Sequence, residues 1–414
     1  MNADVDADVD ASLDGSLDAV LVGFADRLRQ ATRFNIGFPG ATDIDHTDLL
    51  SWAGRLLNNV GDPDVDGLAA NHSKLFERRV LRFVAELLRA PVGWWGYVTS
   101  GASEGTLHAL YLARRRYPKA VCYYTTAAHP SVAKAVDILN VDTVLVRTTA
   151  CGEMDYHDLA TVVGQHRDRP AIVVATAGTT LTEAVDDLRE VEAVLDELAV
   201  TRRWVHVDAA LAGIPLALLS PDERPGLDFA DGAHSLVISG HKFLGAPMPC
   251  GILVTATRPN PAPGLVPYSG SPDTTLLGSR NGHTPLLLAH TVDRLGWEGL
   301  HARAGQARAV AGHAVRRLSG IGWPAWRQHP HAFTVVIRTP PQVVRDKWVL
   351  AGDGRDSSHI VFMPGITLGQ IDEFVADLHT ALTPRPTDPR QSIVDGRGSG
   401  VVVPPQRVPA RAVT

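Results

Sequence analysis

Short β-forming runs alternate with segments of helical period through the middle of the chain, and this alternation limits the fold more than any other feature. The β-forming runs are Val121–Thr126, Thr143–Arg147, Ala171–Thr176, Trp204–Asp208, Leu236–Ser239 and Gly251–Thr255, and the helical segments are Ser103–Arg116, Ser131–Leu139, Tyr156–Gln165 and Asp187–Leu198. Runs such as AIVVAT and SLVIS are almost wholly apolar, as expected for strands covered on both faces. We therefore predict an α/β fold with a mainly parallel sheet and right-handed crossover helices.

The pattern changes near Thr284, which indicates a second, smaller domain. A long helical stretch to Leu318 is followed by three β-like runs and a closing helix, namely Ala332–Arg338, Lys347–Ala351, His359–Met363 and Leu368–Leu382. We expect an α+β domain with an antiparallel sheet over 284–383. The remaining predicted divisions are an acidic tail (1–18), an N-terminal segment (19–60), a large domain (61–283) and a tail rich in proline, arginine and glycine (384–414). Both tails are expected to be disordered, because such compositions bury too little apolar surface to offset chain entropy.

Composition excludes several classes of protein. The formal charge of −6 gives no basic footprint for nucleic acid. The N-terminus is too acidic for a signal peptide, and no apolar stretch approaches the roughly 20 residues that span a bilayer. The three cysteines, Cys122, Cys151 and Cys250, match no metal or disulfide spacing. We expect a cytoplasmic enzyme or binding protein without a metal site.

Chemically active residues stand where the predicted strands end. In open α/β sheets, ligands bind at the carboxyl ends of the strands, so these residues are expected to meet at one edge. They are Asp208 after WVHV, Ser239-Gly240-His241-Lys242 after SLVI, Gly178-Thr179-Thr180 after AIVVATA, His129 after CYYTTAA, and the turn Ser100 to Ser103 before a helix. Each has an ordinary alternative, since an aspartate can cap a helix and a glycine-rich turn is common, but together they form an unusual set.

Pyridoxal phosphate is the cofactor whose chemistry uses this set. A lysine made reactive by partial desolvation forms the Schiff base. A carboxylate keeps the pyridine nitrogen protonated, so that the ring withdraws electrons. Free N–H groups at a helix N-terminus suit the phosphate. Lys242 is the one lysine that directly follows an apolar strand and a Ser-Gly turn, which makes it the candidate.

On these motifs the chain resembles the group II pyridoxal-phosphate-dependent decarboxylases, and among them the bacterial histidine decarboxylases, over about residues 33 to 382. The stretches that carry the resemblance are LNNVGDP (57–63), TSGASEGTLHALYLAR (99–114), HPSVAKAV (129–136), ATAGTTLTEAVDDL (175–188), HVDAALAG (206–213), SGHKFLGAPMPCG (239–251) and DTTLLGSRNGHTPL (273–286). Two positions differ from the family's usual pattern, namely Pro130 after the stacking histidine and Ala102-Ser103 in the glycine-rich turn.

The resemblance implies an α/β enzyme of PLP fold type I, with a mainly parallel seven-stranded sheet in the large domain and a smaller α+β domain. It also implies a role for each matching position. Lys242 would carry the Schiff base, and Asp208 would pair with the pyridine nitrogen. His129 would stack on one face of the ring and Ala210 on the other, while Thr180 would approach the ring hydroxyl. The residues implied for the phosphate end are Gly101, Ala102, Ser103, Ser239 and His241.

Two further segments resemble functional parts of such enzymes. The segment 279–283, which begins with Ser279 and Arg280, would reach the neighbouring subunit's site and bind cofactor there through Ser279, which implies a homodimer. Tyr268, in the loop Pro261–Pro272, resembles the loop tyrosine that protonates the carbanion after carbon dioxide leaves.

The expected reaction is decarboxylation of an L-amino acid, histidine or a related one, to the amine and carbon dioxide. Three alternatives remain open at this stage. Decarboxylation could be coupled to oxidative deamination or replaced by another cleavage at the α-carbon of a specialised amino acid. The chain could be a transaminase, or it could be a catalytically silent binding subunit.

Overall fold

The computed structural model describes residues 16–259 and 264–383, and a seven-stranded sheet forms the centre of its larger part. The strands are β1 (Trp95–Thr99), β2 (Val121–Thr125), β3 (Asp142–Val146), β4 (Ala171–Thr176), β5 (Arg203–Asp208), β6 (Ser235–Ser239) and β7 (Gly251–Thr255), in the order β1-β7-β6-β5-β4-β2-β3. β7 runs antiparallel to its neighbours β1 and β6, and the other adjacent pairs are parallel. The predicted mainly parallel sheet is confirmed.

Helices cover both faces of this sheet, which explains why its central strands have no polar face. Every residue of β4 and of β6 is buried. The helices are α1 (Leu17–Phe34), α2 (Leu50–Ala53), α3 (Lys74–Leu87), α4 (Ala102–Arg116), α5 (Pro130–Leu139), α6 (Tyr156–Gly164), α7 (Leu188–Glu197), α8 (Gly213–Ala217), α9 (His283–Gly320), α10 (Gln342–Arg345) and α11 (Leu368–Leu382). A kink divides α9 at Gly296, whose φ of 59° interrupts the helical backbone.

The second sheet is antiparallel, as predicted for the C-terminal part. It contains β10 (Ala325–Trp326), β11 (Thr334–Arg338), β12 (Ala351–Gly352) and β13 (Ser357–Val361), in the order β10-β11-β13-β12. The β-strand predicted over Lys347–Ala351 is wrong except at Ala351, which begins β12. Its Val349 bridges Asn35 outside the ladder, and Trp348 is buried against Phe34 and Phe374.

The N-terminal segment packs onto this second sheet. The N–H groups of Ile36 and Gly37 donate to the carbonyl of Val349 at 3.3 and 3.0 Å, and the N–H of Val361 donates to the carbonyl of Ile36 at 2.9 Å. The segment is thereby carried to the same side of the molecule as the ends of β4, β5 and β6.

The predicted tails fall largely on residues 1–15 and 384–414, which lie outside the described residues. α1 begins two residues inside the predicted N-terminal tail and exposes the apolar side chains of Leu21, Val22 and Leu28. In the part of the chain that the structure describes, no helix has both the length and the apolar character needed to cross a bilayer.

Candidate active site

One pocket opens at the carboxyl edge of the large sheet, where three neighbouring strands end side by side. Thr176, Asp208 and Ser239 are the last residues of β4, β5 and β6, and the register pairs Thr176 with Asp208. Ten of the predicted site residues line this pocket: Gly101, Ala102, Ser103, His129, Thr180, Asp208, Ala210, Ser239, His241 and Lys242. The strand-end residues therefore lie together at one edge of the sheet, as expected.

Asp208 lies at the base of the pocket. It is 5% exposed, and its Oδ1 accepts a hydrogen bond from the N–H of Ala210 at 3.1 Å. His206, two residues earlier on β5, is fully buried, and burial lowers its pKa to about 4. Because a neutral His206 adds no positive charge there, the Asp208 carboxylate is available to a cationic partner in the pocket.

Lys242 follows the tight turn after β6. The N–H of Gly240 donates to the carbonyl of Cys250 at 2.9 Å, and a Cβ on Gly240 would stand 2.6 Å from the Cys250 Sγ. The turn therefore needs a residue without a side chain at that position. Burial lowers the pKa of Lys242, and the Asp208 charge partly opposes this effect. The amine is thus more readily neutral, and more nucleophilic, than that of an exposed lysine.

His129 stands at the mouth of the pocket as the N-cap of α5. Its Nδ1 accepts a hydrogen bond from the N–H of Ser131 at 3.2 Å and lies 2.8 Å from the Ser131 hydroxyl. Since a backbone N–H can only donate, the neutral ring carries its proton on Nε2. Burial lowers the pKa of His129, Asp208 raises it and Lys242 lowers it further. Pro130 occupies the first helical position, where proline's fixed φ suits the helix, so this departure from the family pattern has a structural reason.

The start of α4 forms the end of the pocket suited to an anion. Gly101 is the N-cap, and Ala102 and Ser103 begin a 15-residue helix whose first N–H groups have no acceptor within the helix. β7 lies very close, since a Cβ on Gly251 would stand 2.7 Å from the backbone nitrogen of Ala102. This close approach fixes the position of the helix start relative to the sheet.

Hydrogen bonds on the side away from the pocket fix the loop that carries Thr180. Gly178, which has a φ of +103°, and Thr179 donate their N–H groups to the carbonyl of Ala184 at 3.1 and 2.9 Å. Glu183 in the same loop is fully buried with a φ of +60°, a conformation that is costly for a residue with a side chain. Its carboxylate accepts the N–H of Thr334 at 2.7 Å, so the loop is fastened to β11 of the small sheet.

Two predicted site residues do not line this pocket. Tyr268 is 83% exposed, in the turn between the short strands β8 (Leu265–Val266) and β9 (Ser271–Pro272). Ser279 is exposed, and its hydroxyl accepts a hydrogen bond from Asn58 Nδ2 at 3.2 Å. Within one chain, neither side chain is brought to Lys242.

Arg280 lies inside its own chain, contrary to the expectation that it reaches a neighbouring subunit. It is 5% exposed, forms an ion pair with the buried Glu77, and donates to the carbonyls of Gly61 at 3.0 Å and Val98 at 3.3 Å. Its guanidinium also lies 5.3 Å from the centre of the Tyr97 ring. The arginine therefore holds the segment 279–283 against the large sheet.

Gly178, which the sequence placed at this edge, also lines the pocket. Sequence reasoning missed six other residues of the pocket wall: Pro39, Ser131, Thr176, Leu211, His359 and Val361. Thr176 could have been found, because it ends the strand beside Asp208. His359 and Val361 could not have been found from the sequence, because they lie on an antiparallel strand of the second sheet. The rule that ligands bind at the carboxyl ends of strands holds for parallel sheets only.

The donor set fits pyridoxal phosphate. A desolvated amine, a buried carboxylate, an accessible imidazole and a helix N-terminus border one cavity. The buried Thr176 hydroxyl there has no hydrogen-bond partner among the residues that the structure describes. These groups match, in kind and number, the attachment, ring-nitrogen, stacking and phosphate requirements of that cofactor.

Known proteins resemble this chain along most of its length. The model of the pyridoxal-dependent decarboxylase conserved domain matches residues 46–258. A histidine decarboxylase of Mesorhizobium japonicum is 41% identical over 350 residues, which covers 84% of this chain and 94% of the relative. Serine decarboxylase 3 of Oryza sativa subsp. japonica is 35% identical, with 84% and 78% covered. The crystal structure of L-methionine decarboxylase from Streptomyces sp. 590 matches with a TM-score of 0.81 and 26% identity, covering 87% of this chain and 95% of that one.

Proposed function

Since the chain belongs to the pyridoxal-dependent decarboxylase family and is a pyridoxal-phosphate-dependent amino-acid decarboxylase, we propose that it converts L-histidine or a related amino acid to its amine and carbon dioxide. The observation that carries the proposal is the convergence of Lys242, Asp208 and His129 on one pocket beside the start of α4. Histidine and serine decarboxylases among the relatives support a small polar substrate.

We propose the following roles for the residues of the chain. Lys242 would hold the cofactor covalently, because its lowered pKa leaves more of the amine neutral and nucleophilic. Asp208 would hold the proton on the pyridine nitrogen, and Ala210 would pack against one face of the ring. The amides of Ala102 and Ser103 would bind the phosphate, together with Gly101, Ser239 and His241. Thr180 would lie beside the ring hydroxyl.

The chemistry that the cofactor supplies when bound is withdrawal of electrons from the substrate's α-carbon, so that the bond to the carboxylate can break. His129 would cover one face of the cofactor ring, and the proton of its neutral imidazole is held on Nε2 because Nδ1 accepts the N–H of Ser131. Burial of Asp208 strengthens its interaction with a protonated nitrogen, because the charge is poorly screened by water.

We further propose a cytoplasmic homodimer in which Tyr268 and Ser279 of one subunit approach the pocket of the other. Both residues are exposed and lie outside the pocket of their own chain, and exposed apolar side chains occur along α1. The free thiols Cys122, Cys151 and Cys250 suit a reducing compartment. The proposed division places the large domain at 61–283 and the small domain at 284–383, with the boundary at the start of α9.

The substrate assignment is tested by incubating the purified holoenzyme with a panel of single amino acids. Carbon dioxide, amine, ammonia and peroxide are measured together, in parallel reactions with and without an added keto acid. We expect stoichiometric amine and carbon dioxide from histidine or another polar amino acid. Aldehyde and peroxide in place of amine would support decarboxylation coupled to oxidative deamination, and turnover only with a keto acid would support a transaminase.

A further inference from the structure

The backbone amides at the start of α4 divide into one that the protein uses itself and two that are free for a ligand. Ala102 and Ser103 begin the helix and line the pocket, and their N–H groups have no acceptor among the residues that the structure describes. The N–H of Ser100 is already used, because it donates to Oε2 of Glu104 at 2.7 Å. A side chain that the pocket does not contain therefore takes part in arranging its anion-binding end.

Glu104 stands behind this turn. It is the third residue of α4 and is not among the residues that line the cavity. Its own N–H donates to the carbonyl of Gly101 at 3.1 Å, and the Thr99 hydroxyl donates to the same carbonyl at 2.8 Å. Together with the bond from Ser100 to the carboxylate, these contacts close the turn on the side away from the pocket.

Tyr97 holds the other oxygen of the same carboxylate. Its hydroxyl lies 3.0 Å from Oε1 of Glu104, and its side chain is fully buried on β1. Because a carboxylate can only accept, the tyrosine donates in this contact. Burial raises the pKa of Tyr97, and the charge of Glu104 raises it further, so the phenol keeps the proton that it donates.

Two further groups fix the Tyr97 oxygen. Nδ1 of His108 lies 3.0 Å from it, and the N–H of Leu276 donates to it at 3.4 Å. Burial lowers the pKa of His108 to about 4, so its ring is neutral. Since the tyrosine proton is directed to Glu104, Nδ1 of His108 carries the ring proton and donates as well. A buried, fully bonded tyrosine thus holds the carboxylate that holds the turn.

A carboxylate close to an anion site has two opposing effects. Its negative charge repels a phosphate, whereas its bond to Ser100 keeps the turn in the conformation that leaves the next amides free. Glu104 is half-buried and lies outside the cavity, so water and salt screen its charge. Donors that are fixed in advance lose less conformational entropy when a ligand binds. We therefore expect the positioning effect to be the larger one.

We propose that Glu104, held by Tyr97, is a positioning residue for the phosphate of the cofactor, because it fixes the turn that presents the amides of Ala102 and Ser103. This inference rests on the proposed phosphate site and adds to it two side chains that act through that turn. An ordinary role in stabilising α4 would change the stability of the fold without distinguishing ligands that carry a phosphate from ligands that lack one.

The test measures how tightly the full-length apoenzyme binds pyridoxamine 5′-phosphate and pyridoxamine. Neither ligand forms a Schiff base with the protein, and the two differ only in the phosphate, so the ratio of their dissociation constants reports the phosphate site. Glu104→Leu removes the acceptor, and Glu104→Gln keeps an oxygen that can accept the N–H of Ser100. Tyr97→Phe removes the hydroxyl and leaves the buried ring.

Two matched controls change the same kinds of residue elsewhere. Glu190→Leu alters the third residue of α7, which is also acidic but does not line the pocket. Tyr111→Phe removes a hydroxyl from a later turn of α4. Both controls should leave the ratio of the two dissociation constants unchanged.

We expect Glu104→Leu to lower the preference for the phosphate ligand about tenfold or more, as for the loss of one charge-assisted hydrogen bond. Tyr97→Phe should lower it in the same direction but less. Glu104→Gln should match or exceed the wild type, because it keeps the acceptor and removes the negative charge. Pyridoxamine should bind all variants about equally.

Two results would overturn the inference. The first is a Glu104→Leu variant with a stronger preference for the phosphate ligand, which would mean that charge repulsion dominates. The second is equal weakening of both ligands, which would mean a role in stability alone; Tyr97→Phe decides this point if Glu104→Leu does not fold. Failure of the proposed phosphate site looks different, because the wild type itself would then bind the two ligands equally tightly.

Discussion

The carboxylate of Glu183 accepts the backbone N–H of Thr334 at 2.7 Å, although 151 residues separate the two along the chain. Glu183 belongs to the loop that carries Thr180, and Thr334 begins β11 of the small sheet. A buried acidic residue in a left-handed backbone conformation is energetically costly, so it is found only where surrounding interactions hold it in place. This hydrogen bond therefore connects the cofactor side of the pocket to the sheet that supplies its opposite wall.

The first prediction concerns the pH dependence of stability. Burial raises the pKa of Glu183 from 4.5 to about 7, so the folded protein binds this proton more tightly than the unfolded chain does. Its contribution to stability is therefore complete below 4.5 and is lost as the pH rises towards 7. Glu183→Gln stays neutral, and its free energy of unfolding relative to the wild type should rise by up to about 3 kcal/mol between about pH 5 and pH 8.

Denaturant unfolding across that pH range measures the difference. Asp186, whose pKa burial also raises to about 7, is present in both proteins, so its effect cancels. Glu190→Gln, on the exposed face of α7, is the control and should show no trend. A pH-independent difference for Glu183→Gln would mean that the carboxylate is already ionised at low pH.

The second prediction is that Lys242 carries the cofactor. Borohydride treatment of the yellow holoenzyme should fix the cofactor on the peptide that contains Lys242, as read by mass spectrometry. Lys74 is the other lysine whose pKa burial lowers, but its ammonium is already bonded to the carbonyls of Val60 and Val65. A label on the Lys74 peptide would refute the assignment.

The third prediction separates binding from catalysis at Asp208. Asparagine can still accept the N–H of Ala210, so Asp208→Asn should fold and take up the cofactor. It should lose about 100-fold or more in kcat, because a neutral amide does not hold the pyridine nitrogen protonated, and that loss is a few kcal/mol of transition-state stabilisation. Near-normal kcat in a cofactor-loaded variant would exclude the proposed role.

The fourth prediction places Tyr268 in the partner's pocket. Lys242→Ala and Tyr268→Phe chains each form defective homodimers, but their mixed dimer would contain one pocket with both residues intact. Amine formation should then recover in part after subunit exchange, with carbon dioxide and peroxide measured alongside. Verified mixed dimers that make no more amine than the parents would show that Tyr268 does not act across the interface.

The fifth prediction follows from the burial of Arg280. Arg280→Ala leaves the Glu77 carboxylate without its partner, so the free energy of unfolding should fall by roughly 3–5 kcal/mol. Arg29→Ala removes an exposed ion pair with Asp26 and should change it by less than about 1 kcal/mol. A small effect at Arg280 would indicate that water or another cation reaches Glu77.

The strand-end residues could be predicted because parallel topology follows from hydrophobic pattern, and parallel strands end at a common edge. The common edge of the parallel strands identifies Asp208 and Lys242 as site residues, and the same reasoning applies to Thr176. The helix α3 was missed, although its buried side chains include Val80, Leu81 and Val84 at helical spacing.

Contacts between distant parts of the chain could not be predicted, because no local sequence pattern indicates them. In the sequence Glu183 is one acidic residue among many, and only the folded structure brings it to Thr334. Arg280 carries a charge that suggests an exposed position, yet Glu77 of α3 neutralises it inside the protein. His359 lies on an antiparallel strand, where alternation indicates burial but not which cavity the side chain meets.

The two walls of the pocket belong to different sheets, and this has a consequence for how such enzymes diversify. The large sheet positions Lys242, Asp208 and the start of α4. The small sheet carries His359 and Val361, and the N-terminal segment that packs on it carries Pro39. Mutations in β13 can therefore accumulate without moving the groups that hold the cofactor. A duplicated gene could explore new amino acids through a handful of changes on one strand while its ancestral chemistry is inherited intact.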